Sequence, residues 1–124
     1  MICELQKIGS PESIMNHPMK GKLFETYVVM EILKNLKTMS LFLGLYHYRT
    51  QAGAEVDLIL EFRGKLYPIE VKLTSYPSKN DARGIHSFYS SIPEQEKGKG
   101  LIVCTCEKPY LITEEILALP WWMI

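Results

Sequence analysis

The sequence predicts an α/β fold in which a mixed sheet is flanked by helices. Three observations carry this. The chain has 124 residues, enough to bury one core and not two. An apolar stripe at helical spacing opens the domain, and three strand-like runs joined by tight turns follow it. A second amphipathic segment then leads into a short, wholly apolar strand.

Taken in order, residues 1–20 show no period and are interrupted by Ser10-Pro11 and His17-Pro18. They read as a linker or truncated lead-in, and the domain is expected over 21–124. Residues 22–38 read as a helix, with Phe24, Val28, Val29, Ile32, Leu33 and Leu36 recurring on one side. At about 100° per residue this stripe centres on the direction of Glu25. A carboxylate there needs a partner, because burying it alone is unfavourable. Glu31 lies at the edge of the stripe. Leu45–Thr50 is rich in strand formers, and Gln51-Ala52-Gly53 turns the chain. Glu55–Phe62 and Leu66–Leu73 follow as strands around the tight turn Arg63-Gly64. Ser78, with Asp81 three positions on, opens a helix over 79–91 whose apolar face is Ile85, Phe88, Tyr89 and Ile92. Gly100–Thr105 reads as a buried strand and Tyr110–Thr113 as a short one. A helical turn is expected over Glu114–Leu119, stopped by Pro120.

Composition narrows the class. Hydrophobic residues make up 47% of the chain, too many for a disordered segment. Basic and acidic residues number 14 each, which excludes a uniformly basic surface. The balance is uneven: the segment 63–99 sums to +3 and 100–124 to −2. Cys3, Cys104 and Cys106 are too few and too odd in number for a disulfide framework, so a reducing, cytoplasmic setting is expected. Cys104 and Cys106 read as small apolar residues, since no second pair completes a zinc site. His17, His47 and His86 are scattered and suggest no metal role. No apolar run approaches the roughly 20 residues that span a bilayer, so no membrane association is expected. The start Met1-Ile2-Cys3-Glu4 lacks the pattern of a signal peptide.

The chemistry lies in the hairpin. Of two aspartates, Asp57 stands within the apolar run Ala54-Glu55-Val56-Asp57-Leu58-Ile59-Leu60, where aspartate is rare. Alternation puts Ala54, Val56, Leu58, Leu60 and Phe62 on one apolar face, and Asp57 opposite with Glu55, Ile59 and Glu61. In the next strand Tyr67, Ile69, Val71 and Leu73 point one way, and Pro68, Glu70 and Lys72 the other. Glu70 and Lys72 then lie on one face about 7 Å apart. Pairing of the two strands brings Asp57, Glu70 and Lys72 together, and Glu25 joins them from the helix. Two or three convergent carboxylates suit a hard cation, Mg2+ or Mn2+. A lysine beside them can orient or deprotonate a water, or stabilise charge on a phosphate. Taken singly, the same residues also fit a solvated ion pair and a satisfied polar side chain. Only their joint placement points to phosphodiester hydrolysis. Tyr46 and Tyr48 read as packing residues, and Trp121-Trp122 as a core cover or a contact.

Asp57, a gap of 12 residues, then Glu70-Val71-Lys72, after a helix bearing Glu25, resembles the PD-(D/E)XK nuclease superfamily. The element order likewise resembles its restriction-endonuclease-like core. Val56 stands where that family usually has proline. From Gly21 onward the chain is also similar to a C-terminal domain of prokaryotic AAA-type ATPases. The similar runs are Gly21–Ile32, Tyr48-Arg49-Thr50, Glu55-Val56-Asp57 and Pro68–Lys72. The resemblance implies Glu25, Asp57, Glu70 and Lys72 as active-site residues. Asp57, Glu70 and the Val71 carbonyl would hold magnesium or manganese, with Glu25 acting directly or through a water. Lys72 would position the nucleophile. Arg49, Lys79 and Arg83 are candidate phosphate contacts. DNA is the expected partner, with RNA and a homodimer left open. No Gly-x-x-x-x-Gly-Lys-[Ser/Thr] loop occurs, so an ATPase half is expected to be missing from this chain. A catalytically inactive module that binds nucleic acid or protein is the alternative. A purely structural fragment is the third reading.

Overall fold

A computed structural model describes residues 19–38 and 44–124. The expected lead-in, with Cys3 and His17, lies outside the described residues apart from Met19 and Lys20.

Helix α1 spans Lys20–Thr38. It buries Leu23, Phe24, Val28 and Ile32, so its inward face centres on Phe24 and Val28. The expected stripe is therefore rotated, and Glu25 sits half-buried on the flank rather than in the middle. Trp121 supplies the reason. Its ring lies edge-on to Phe24 and Tyr27, each at 6.4 Å between centroids, and draws that side of the helix inward.

Strands β1 (Gly44–Arg49), β2 (Glu55–Phe62) and β3 (Lys65–Val71) form an antiparallel meander. Arg63 and Gly64 make the β2–β3 turn with φ of 52° and 78°. Two positive φ values match the right-handed twist of the flanking strands. β2 is bulged. Tyr46 pairs with Ile59 and Tyr48 with Val56, so two steps on β1 oppose three on β2. The extra residue falls around Asp57 and Leu58 and breaks the alternation. Val56 and Ile59 enter one core, whereas Leu58 and Leu60 enter the other. The single apolar face expected for Ala54, Val56, Leu58, Leu60 and Phe62 is thus divided between the two sides of the sheet.

A 3-10 turn, Lys79–Ala82, runs into helix α2, Arg83–Ser90. The Asp81 carboxylate accepts the Ser78 backbone N–H at 2.9 Å, as the capping pattern predicts. Strands β4 (Gly100–Cys104), β5 (Tyr110–Leu111) and β6 (Ile116–Pro120) complete the sheet in the order β1-β2-β3-β4-β6-β5. β3–β4 and β4–β6 are parallel pairs, so the sheet is mixed as expected. The expected helical turn over Glu114–Leu119 is instead the strand β6. It is held from Gly100↔Ile116 to Cys104↔Pro120 on one side and by β5 on the other. Leucine and alanine favour helix, but a slot between two strands overrides so weak a preference. Ile116, Ala118 and Pro120 are buried in alternation, and Pro120 stands at the strand end, where its missing N–H is tolerated.

Each sheet face carries one core. Leu23, Phe24, Val28 and Ile32 of α1 meet Leu58, Ile69, Val71 and Val103. Ala82, Ile85, Phe88 and Tyr89 meet Val56, Ile59, Ile102 and Ile116. Cys104 and Cys106 are buried in the second core, as small apolar residues would be. Tyr48 packs edge-on to Phe88 at 5.3 Å. Tyr46, expected to pack, is 54% exposed and donates its hydroxyl to Glu61. Trp121 covers the first core, and Trp122 is exposed. Among the described residues no helix is long and apolar enough to cross a membrane.

Candidate active site

Antiparallel pairing of β2 with β3 ends at Leu58↔Ile69. Beyond it the bulge carries β2 away, and the Val71 N–H lacks its regular partner. Asp57 takes that place: its Oδ2 accepts the Val71 N–H at 2.8 Å. A buried backbone donor must be satisfied, so the hydrogen bond fixes the carboxylate beside β3. The Lys72 N–H donates to the Val103 carbonyl at 2.9 Å, which continues the strand geometry past the end of β3. Glu70 and Lys72 stay in step as a result.

Glu70 is the one buried charged residue among those described, 5% exposed. Burial pushes its carboxyl up to about 8, and the neighbouring Asp57 carboxylate, through charge and a shared hydrogen bond, pushes the same way. Lys72 opposes the shift. Glu25 is raised as well, first by burial and then by Asp57, with Lys72 and Lys22 pulling it down. Glu25, Asp57, Glu70, Val71 and Lys72 therefore feel one another, and together they line one cavity of about 520 Å3. The four residues singled out as catalytic meet there.

The phosphate candidates are placed differently. Arg83 lines the cavity. Lys79 does not, although its neighbours Asn80 and Asp81 do. Arg49 donates through Nε and Nη2 to Glu55 Oε2, at 3.2 and 3.0 Å, on the exposed rim. Gly84, in the first turn of α2, was not singled out from sequence. A Cβ there would run into the Glu55 carbonyl oxygen and lie 3.1 Å from Glu70 Oε2. Only glycine lets α2 approach the carboxylates so closely. Its one sequence signal is a glycine inside a helix, where it is otherwise unfavourable.

Among the described residues no group of three or more His, Cys, Asp or Glu side chains is placed to hold a metal ion. The donor set is instead a pair, Asp57 with Glu70, and Glu25 across the cavity. Magnesium characteristically takes one or two protein carboxylates and completes its shell with water and phosphate. Asp57 and Glu70 are two such carboxylates, and the charge of Asp57 is among the causes that raise Glu70, a repulsion that a divalent cation would relieve.

The family described as a domain of unknown function, DUF4143, matches residues 20–124. The chain belongs to this family. The DUF4143 match takes in every described residue except Met19. Two curated relatives are the uncharacterized proteins Rv2008c of Mycobacterium tuberculosis and Mb2031c of Mycobacterium bovis. Each is 29% identical over 108 residues, covering 87% of this chain and 22% of the relative. The chain thus spans about a fifth of the length of these relatives.

Proposed function

We propose that this DUF4143 domain is a magnesium-dependent nuclease-like unit that hydrolyses DNA phosphodiesters, and that it works as the C-terminal part of an AAA-type ATPase. The observation that carries the reading is the Asp57–Glu70 pair, one member pinned by Val71 and the other buried, with Lys72 at the same cavity. The resemblance of the same residues and their spacing to the PD-(D/E)XK nucleases is what gives the pair this chemistry.

In this reading Asp57, Glu70 and the Val71 carbonyl would hold Mg2+ or Mn2+, and Glu25 would contribute directly or through a water. When bound, the ion supplies Lewis-acid polarisation of the phosphate and acidifies water. Asp57 is held by the Val71 N–H against the cavity that it lines. A cation held there would favour the ionised form of Glu70. Lys72 orients the attacking water and stabilises charge on the phosphoryl oxygens. Arg83 and Asn80, on the α2 side, contact the phosphate backbone.

The test is cleavage of plasmid and branched DNA with and without magnesium, by the native chain and by Asp57→Ala and Lys72→Ala. Metal-dependent cleavage lost in both variants is expected. Cleavage unchanged by both substitutions overturns the assignment. A second reading, a module that binds nucleic acid without cutting, is favoured by the burial that raises the Glu70 carboxyl, since a protonated Glu70 lowers the site's negative charge. DNA binding with no metal-dependent cleavage is its outcome.

A further inference from the structure

The cavity of the Asp57–Glu70 pair does not stand alone. A second cavity, about 430 Å3, adjoins it and shares Glu25, Glu55 and Asp57. Its other wall is the outer face of α1, formed by Lys22, Thr26, Val29 and Met30. Those positions recur at helical spacing, so they make one continuous strip. Each cavity falls in the range of roughly 300–1,000 Å3 that ligand sites occupy. The proposed cleavage uses only the first, and gives the α1 strip no task.

Both signs of charge line this trough. Lys72 and Arg83 stand in the first cavity, together with Asp81, whose carboxylate is taken up by the Ser78 N–H, and Lys22 stands in the second. The shared carboxylates lie between them, with Glu55 already paired to Arg49 at 3.0 Å. With Arg83 in one cavity, Lys22 in the other and Lys72 among the carboxylates they share, the trough fits a polyanion that runs through it once a cation offsets those carboxylates. A mononucleotide or a terminal phosphate would fill the first cavity alone. On the α1 strip Thr26 offers a hydroxyl, and Met30, 42% exposed, offers an apolar surface for a base.

We infer that the outer face of α1 is a second nucleic-acid subsite, built on Lys22, Thr26 and Met30. It receives the nucleotides beyond the scissile phosphate, so the chain takes a strand passing through rather than a strand end. This rests on the nuclease reading for the centre of the trough, but binding tests it apart from cleavage.

The experiment measures fluorescence anisotropy with fluorescein-labelled single-stranded DNA in magnesium, on a Lys72→Met background that keeps the carboxylates. A dinucleotide is compared with a strand of about twelve nucleotides, within the span a single domain covers. Lys22→Ala and Lys22→Glu are each expected to weaken the long strand several-fold and leave the dinucleotide unchanged. Lys22→Ala should also reduce the salt dependence by about 0.7 in log–log slope, the value for one phosphate contact on a single strand. Thr26→Val should act in the same direction. In parallel, the native chain should nick circular single-stranded DNA. Equal affinity of native and Lys22 variants at every length overturns the subsite. Shortening of linear strands with the circle left intact also overturns it, and leaves the nuclease reading standing. Length-dependent binding lost in the Lys22 variants, with no hydrolysis of any substrate, supports the subsite and overturns the nuclease reading.

Discussion

The two ends of the β2–β3 hairpin carry similar residues and treat them oppositely. At the turn end, pairing is regular from Leu58↔Ile69 to Phe62↔Lys65. Glu61 there is exposed and accepts a hydrogen bond from Tyr46 at 2.9 Å, and Arg63 lies over the Phe62 ring at 5.0 Å. At the open end the bulge leaves a backbone donor over, Asp57 takes it, and Glu70 is buried beside it. The backbone decides the difference. Where the strands satisfy each other, carboxylates are left to water. Where they part, a carboxylate accepts a backbone N–H in place of the missing strand and is held there.

The comparison is broken most forcefully at Asp57. Asp57→Ala leaves the Val71 N–H without an acceptor, which costs about 1–3 kcal/mol of stability. Losing a group that merely orients a metal ligand costs about 10–100-fold in affinity or activity, so losing the ligand itself should exceed that. Glu61→Ala, at the turn end, should stay within about 0.5 kcal/mol and leave cleavage intact. Urea unfolding of both variants, followed by plasmid cleavage, checks the pair. Equal stability losses would remove the distinction between the two ends.

Gly84 sharpens the same contrast. Gly84→Ala places a methyl group against the Glu55 carbonyl and near Glu70, and overpacking of this kind costs about 1–3 kcal/mol. A matching Gly64→Ala at the turn end meets no atom within 4 Å, and only its φ of 78° opposes it. Gly84→Ala should depress magnesium-dependent cleavage even at temperatures where circular dichroism shows the chain folded. Gly64→Ala should not.

A third test uses pH. The folded state holds the Glu70 proton more tightly than the unfolded chain, whose value is 4.5, because the folded value is about 8. With metal chelated, the stability from this proton is complete below about 4.5 and is lost as pH rises through about 8. Glu70→Gln should flatten that decline, and Glu61→Gln should leave it. Denaturant midpoints collected across this window show which holds. The smallest effect belongs to the rim. Arg49→Ala removes an exposed ion pair worth at most about 1 kcal/mol, so thermal unfolding should shift little.

Much of this site was legible before the fold. The parity that sets Glu70 and Lys72 together, and the oddity of Asp57 in an apolar run, are local facts of strand geometry. The bulge was not legible, because an unbroken apolar series from Ala54 to Phe62 gives no sign of an extra residue. It shows only when Tyr46 and Tyr48 are paired with their partners across the sheet. The rotation of α1 depends on Trp121, at the far end of the chain. β6 was hidden because Glu114–Leu119 favours helix locally and is held extended by β4 and β5. Gly84 is explained only by a carbonyl of another strand.

The proposed nuclease reading requires that the open end of the hairpin bind a divalent cation through Asp57 and Glu70. Calorimetric titration of the chain with Mn2+ near pH 7, in buffers of different ionisation enthalpy, tests it most directly. The account predicts saturable binding that releases a proton, lost in Asp57→Asn and with no proton release in Glu70→Gln. Identical Mn2+ binding and identical proton release in the native chain and both variants would contradict it.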